Sequence, residues 1–148
     1  MLDLYSRRVV GWSMQDRLVD DLVVQAFSAA WMQRRPSSGL IVHSDRGHQY
    51  SGQQFRAILA GHACVQSMSA AGNCYDNAVT ESFFHTLKVE LVNRHRFQSR
   101  DEARKNIFEY IESFYNRQRM HSTLGYISPT EFEEQSLVSE SKCQSRAF

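Results

Sequence analysis

Two acidic residues set the chemical question in this chain. Asp45 closes the run "GLIVHSD", residues 39–45, and Glu81 stands in "AVTESFFHTLKVEL", with thirty-five residues between them. A carboxylate at the tip of an apolar strand lies where open α/β sheets gather their ligands, outside the carboxyl ends of the strands. On a helix, Glu81, His85 and Lys88 fall at i, i+4 and i+7 and form one polar stripe, while Val79, Phe83, Leu87 and Leu91 recur every fourth residue as the apolar one. A carboxylate is thereby held beside a base on a rigid surface. A Ser-His-Asp triad from His43, Ser44 and Asp45 is disfavoured, because in a strand His43 and Asp45 point to one face and Ser44 to the other. His43 reads as a packed or hydrogen-bonded residue instead of a ligand.

Each of these groups needs an element to hold it. Residues 2–14, "LDLYSRRVVGWSM", predict two short strands joined by a turn at Ser6 to Arg8. From Asp20, "DDLVVQAFSAAWMQRR" predicts an amphipathic helix with acids in its first turn and Arg34, Arg35 and Pro36 at its end. Residues 39–43 predict a buried strand. Ser51 and Gln54 read as a capping box for a short helix through Phe55, Ile58 and Leu59 to Gly61, and "ACVQSM" predicts a further strand. The stretch "SAAGNCYDN", 69–77, has no periodicity and predicts a mobile loop.

Two sizeable helices follow. The first carries the Val79 to Leu91 repeat; the second opens on the capping box Ser99-Arg-Asp-Glu102 and continues through Ala103, Ile107, Ile111 and Phe114. Phe83, Phe84, Phe108, Tyr110 and Phe114 are expected in the core rather than on a base-stacking platform. Residues 115–132 read as irregular and 135–148 as a polar, disordered tail. Strands alternating with helices imply one α/β layer domain over 1–134.

The bulk numbers exclude several classes. With 148 residues, 42% apolar and 22% charged, the chain has the composition of a soluble globular domain. No run of eighteen apolar residues and no signal-peptide pattern at "MLDLYSRR" predict a soluble, intracellular protein. Cys64, Cys74 and Cys143 are scattered, which argues against a disulfide framework and a zinc site. Net charge is +1; residues 1–121 hold fifteen Lys/Arg against twelve Asp/Glu, and residues 122–148 hold two against four. Fourteen of the seventeen basic residues are Arg, whose fork suits phosphate oxygens.

The phrases "LDLYSRRVVGW", "HSDRGHQY", "GNCYDNAVTESFFHTLKVEL" and "YNRQRMHSTLGYISPTEF" together resemble the catalytic core of bacterial insertion-sequence transposases related to retroviral integrases, the DDE group. The resemblance implies an RNase H-like α/β fold, a mixed sheet flanked by helices, of which this chain lacks the first strand. It implies polynucleotidyl transfer: strand cleavage and strand transfer on DNA, assisted by two divalent ions, Mg²⁺ with Mn²⁺ as a substitute. By resemblance Asp45 and Glu81 are two of three catalytic, metal-binding carboxylates, and Lys88, Asn73, Tyr75, Asn77 and Arg119 are DNA-binding residues. The third carboxylate belongs to a Thr-Asp phrase that this sequence does not contain, and Asp3 reads as a turn residue rather than its substitute.

Activity of this chain alone is therefore not expected. Ala70 and Ala71 stand where relatives carry basic residues. The implied partners are DNA, as element ends and target, and further copies of the chain, in the bacterial cytoplasm with no membrane and no small-molecule substrate. Two other functions fit the same residues: a non-catalytic DNA- or partner-binding fragment that regulates transposition, and a structure-selective nuclease.

Overall fold

The computed structural model describes residues 1–17, 19–70 and 77–144. The chain divides into two compact units: Met1–Leu2 with Val10–Thr86, and Asp3–Val9 with Leu87–Phe148.

In the first unit, helix α1 spans Asp20–Arg34, with Asp20 and Asp21 at the positive end of its dipole. It stops at Arg35, whose left-handed backbone turns its N–H onto the Trp31 carbonyl. Strand β1 (Ile41–Ser44) leads through the short helix α2 (His48–Ser51) and helix α3 (Gln53–Gly61) to strand β2 (Val65–Met68). The strands run parallel in the register Ile41 with Val65, Val42 with Gln66, His43 with Ser67 and Ser44 with Met68. Parallel pairing demands such a crossover, because a tight turn cannot return the chain in the same direction.

Val23 and Phe27 of α1 interlock with Phe55 and Leu59 of α3, and Val42 of β1 packs on the same cluster. Phe27 and Phe55 meet edge to face at 6.1 Å. Burial of each such side chain contributes about 1.5 to 3 kcal/mol, so this cluster seats β1 on the helices. Gly11 passes so close to α1 that a Cβ would lie 2.4 Å from the Ala26 carbonyl oxygen and 2.5 Å from the Ala30 nitrogen.

The local readings fail here in three places. Residues 2–14 give isolated bridge residues at Leu2 and Val9 rather than strands, and the turn falls at Leu4–Ser6, earlier than expected. A lone pair of short strands is marginal in stability without a third. Asp3 is a turn residue as expected, its Oδ1 accepting from the Tyr5 N–H at 2.8 Å. Strand β1 is less buried than its composition suggests: Leu40 and Ile41 are exposed, since among the described residues the sheet has only β1 and β2. The Ser51 capping box does not form, because Gly52 takes the N-cap of α3 and Ser51 ends α2.

Helix α4 (Ala78–Glu90) ends in the second unit, followed by α5 (Arg100–Glu109) and α6 (Pro129–Gln144). Ser99 caps α5, its Oγ accepting from the Glu102 N–H at 3.1 Å, and Glu102 reaches back to the Gln98 N–H at 2.6 Å. At Tyr110–Tyr115 the helix widens to a π-helix, with the Asn116 N–H on the Ile111 carbonyl at 3.0 Å. The wider turn shifts the inward face to Tyr110, Ile111, Tyr115 and Asn116.

Three of the five aromatics expected in the core are thus exposed: Phe84 at 51%, Phe108 at 53% and Phe114 at 40%. Phe83 and Tyr110 are buried. Ser128 caps α6 by accepting from the Glu131 N–H, and α6 continues through residue 135, where the sequence predicts the tail to begin. Among the described residues no helix is long and apolar enough to cross a membrane.

Candidate active site

Asp45 follows the last residue of β1, and the end of that strand is clamped to β2. The Ser69 N–H donates to the Ser44 carbonyl at 3.0 Å, and the Ser69 hydroxyl donates to the same oxygen at 3.3 Å. His43 bridges the strands, with Nδ1 2.9 Å from Ser67 Oγ and Nε2 3.2 Å from Ser69 Oγ. The Ser69 hydroxyl has spent its one proton on Ser44, so it accepts from His43 Nε2–H; Nδ1 then accepts from the Ser67 hydroxyl. His43 is therefore a hydrogen-bonded brace, as expected, and not a triad base.

Beyond the brace, Asp45 Oδ1 accepts from the Gly47 N–H at 2.9 Å, and a Cβ on Gly47 would come within 3.0 Å of that oxygen. Asp45 is exposed, and among the described residues no cation pairs with it; its neighbour Arg46 donates Nε to the Ser69 carbonyl at 2.9 Å instead. Burial raises the pKa of Tyr50, with the Asp45 charge adding to it, so the phenol keeps its proton.

Glu81 is exposed in the first turn of α4, where the helix dipole favours its charge. The expected stripes hold: Glu81, His85 and Lys88 are exposed, while Phe83, Leu87 and Leu91 are buried. Asp45 and Glu81 belong to the same compact unit. Carboxylate oxygens open to solvent suit a hard divalent cation in kind. In number they fall short of a cage, since no group of three or more His, Cys, Asp or Glu side chains able to hold an ion occurs among the described residues.

Of the expected DNA-binding set, Lys88 is exposed on α4 two turns beyond Glu81, and Asn77 stands half-buried just before that helix. Asn73 and Tyr75 lie outside the described residues. Arg119, in the second unit, is held by Glu90, with Nε 3.0 and 3.1 Å from the two carboxylate oxygens. Tyr110 donates to the same carboxylate at 2.7 Å. Burial opposes the Glu90 charge, but hydrogen bonds from Arg119 and Tyr110 and the charges of Arg119 and Arg94 outweigh it and lower the pKa.

Sequence reasoning missed Ser67, Ser69 and the Arg46 anchor. The signal was present in "VQSMS": two serines spaced by two on one strand share a face, and that spacing offers both ring nitrogens of a histidine across the ladder a partner.

Two profiles described as the integrase core domain match residues 1–74 and 81–137. The chain is 48% identical over 133 residues to a transposase for insertion sequence element IS904 from Lactococcus lactis, covering 90% of this chain and 53% of that protein. It is 49% identical over 139 residues to transposase InsF for insertion sequence IS3fB from Escherichia coli, covering 93% of this chain and 48% of the relative. The chain thus spans about half the length of the curated relatives it matches.

Proposed function

Because the chain belongs to the integrase core domain family, we propose that it is part of a DDE transposase core of RNase H-like fold that cuts and joins DNA strands. Asp45 and Glu81 are its metal-binding, catalytic carboxylates in this reading. The observation that carries it is Asp45 itself: an exposed carboxylate that pairs with no cation among the described residues, fixed at the tip of a parallel strand, with Glu81 on the first turn of a helix in the same unit.

The chain's own residues divide the work. The His43, Ser67 and Ser69 brace fixes the strand end, and the Gly47 N–H orients one Asp45 oxygen while the other stays available. Glu81 offers a second carboxylate from a rigid helix, and Lys88, further along α4, meets a DNA phosphate. Asn77 and Arg119 are proposed to contact DNA as well, the latter beside its Glu90 partner. A bound Mg²⁺ or Mn²⁺ would supply Lewis-acid stabilisation of the charge that develops on phosphate oxygens. The proposed partners are element ends, target DNA and further copies of the chain, in a bacterial cytoplasm.

The purified 148-residue chain brings two of the three carboxylates that the resemblance implies. It is expected to bind DNA with a log affinity that falls linearly with log salt, and to join no labelled element ends to target in Mg²⁺ or Mn²⁺. Joined products from this chain alone would overturn the assignment of an incomplete site. Cleavage of an RNA strand in a hybrid, with no affinity for DNA ends, would overturn the transposase reading in favour of a nuclease.

A further inference from the structure

Arg46 directly follows Asp45 and yet does not pair with it. Its Nε donates to the carbonyl of Ser69 at 2.9 Å, and Ser69 is the 5% exposed residue that clamps the end of β1. One of the five N–H groups of the guanidinium is therefore tied to a rigid point. The side chain as a whole is exposed, and among the described residues its terminal amino groups make no hydrogen bond or ion pair. A fork tied at its inner nitrogen and bare at its outer two presents parallel donors to solvent, an arrangement that matches two oxygens of one phosphate. The anchor also takes rotamer freedom from Arg46 on folding rather than on binding, which favours capture of a ligand.

We propose that Arg46 is a phosphate clamp for the DNA substrate, gripping a backbone phosphate beside the one presented to Asp45. This rests on the reading of the first unit as part of a DNA strand-transfer core. Lysine at this position would supply the charge without the fork or the anchor. The clamp is blind to sequence, because phosphate contacts fix register and carry no base information.

The test is a fluorescence-anisotropy titration of the full chain with a labelled DNA duplex over a range of salt, alongside Mn²⁺ binding. Arg46→Gln is expected to weaken binding equally for unrelated duplexes and to reduce the slope of log affinity against log salt by about 1, the signature of one lost phosphate contact. Arg46→Lys is expected to keep the slope and bind more weakly than the parent chain. Both variants are expected to bind Mn²⁺ as the parent does. An unchanged slope in Arg46→Gln would overturn the clamp and leave the DNA reading standing, whereas a parent chain with no salt-dependent DNA binding would overturn both. Loss of Mn²⁺ binding in both variants would make Arg46 a brace of the Asp45 turn, and this too would overturn the clamp.

Discussion

Asn116 and Val9 are joined by two hydrogen bonds: Asn116 Oδ1 accepts from the Val9 N–H at 2.9 Å, and Nδ2 donates to the Val9 carbonyl at 3.0 Å. The carboxamide thus serves Val9 as a neighbouring strand would, at a site where Asn116 is 1% exposed. Asn116→Ala would leave two buried backbone groups unpaired, at about 1 to 3 kcal/mol each, and is expected to destabilise the second unit by about 2 to 4 kcal/mol. Asn116→Asp should cost more, since a carboxylate would be buried facing a carbonyl oxygen. A urea midpoint that shifts at constant slope, with faster hydrogen exchange at the Val9 amide, checks this. Unchanged exchange at Val9 would contradict it.

Two glycines of the first unit should respond with opposite signs. A Cβ at Gly11 meets backbone atoms of α1 at 2.4 and 2.5 Å, which cannot move without displacing the helix. Gly11→Ala is expected to destabilise by about 3 kcal/mol or more, at the upper end of overpacking costs. Gly61, the last residue of α3, has nothing within 4 Å of its added Cβ. Gly61→Ala should raise stability by about 0.5 to 1 kcal/mol through lost freedom in the unfolded chain. Thermal melts of the two variants decide the matter.

Acid should weaken the second unit through one buried histidine. His121 has its pKa lowered from 6.5 to about 4 by burial first and then by the charges of Arg119 and Arg7, against the opposing charge of Glu90. Among the described residues its buried Nε2 has no hydrogen-bond partner, and its ring lies edge-on to Tyr115 at 4.9 Å. A depressed histidine pKa means that the unfolded chain binds the proton first, so stability falls as pH drops from 6.5 toward about 4. At the alkaline end, burial raises Tyr115 to about 12, so its contribution is full below pH 10 and fades as pH rises beyond it. Urea midpoints at about pH 7 and pH 5 should differ in the parent chain, and the difference should shrink in His121→Gln. Equal pH dependence in the two proteins would refute this.

The sequence was most legible where one period governs a whole element. Helix α4 shows both of its stripes as read, because Phe83, Leu87 and Leu91 keep the spacing of a regular helix. Helix α5 and its extension defeat the same reasoning: the π-helix at Tyr110–Tyr115 moves the buried register from Phe114 to Tyr115, and no residue type announces that change. Caps were legible only in part. Ser99 and Ser51 head similar phrases, but Gly52 takes the cap beside Ser51. The phrase Ser128-Pro-Thr-Glu131 carried a capping signal, with proline at the first helical position, that composition alone hid in a stretch read as irregular. Asp45 and Glu81 stand out as candidates through their phrases, whereas the Ser69 clamp depends on strand register, which a single sequence does not state.

In the proposed reading, Asp45 and Glu81 bind metal together, and we propose that one divalent cation lies between them. The most direct measurement is paramagnetic broadening of backbone amide resonances on titration with Mn²⁺. Amides of Gly47 and of the first turn of α4 are expected to broaden together at one Mn²⁺ concentration, and Asp45→Asn is expected to relieve both sets. Broadening near only one carboxylate, or broadening around Glu81 that persists unchanged in Asp45→Asn, would contradict the claim.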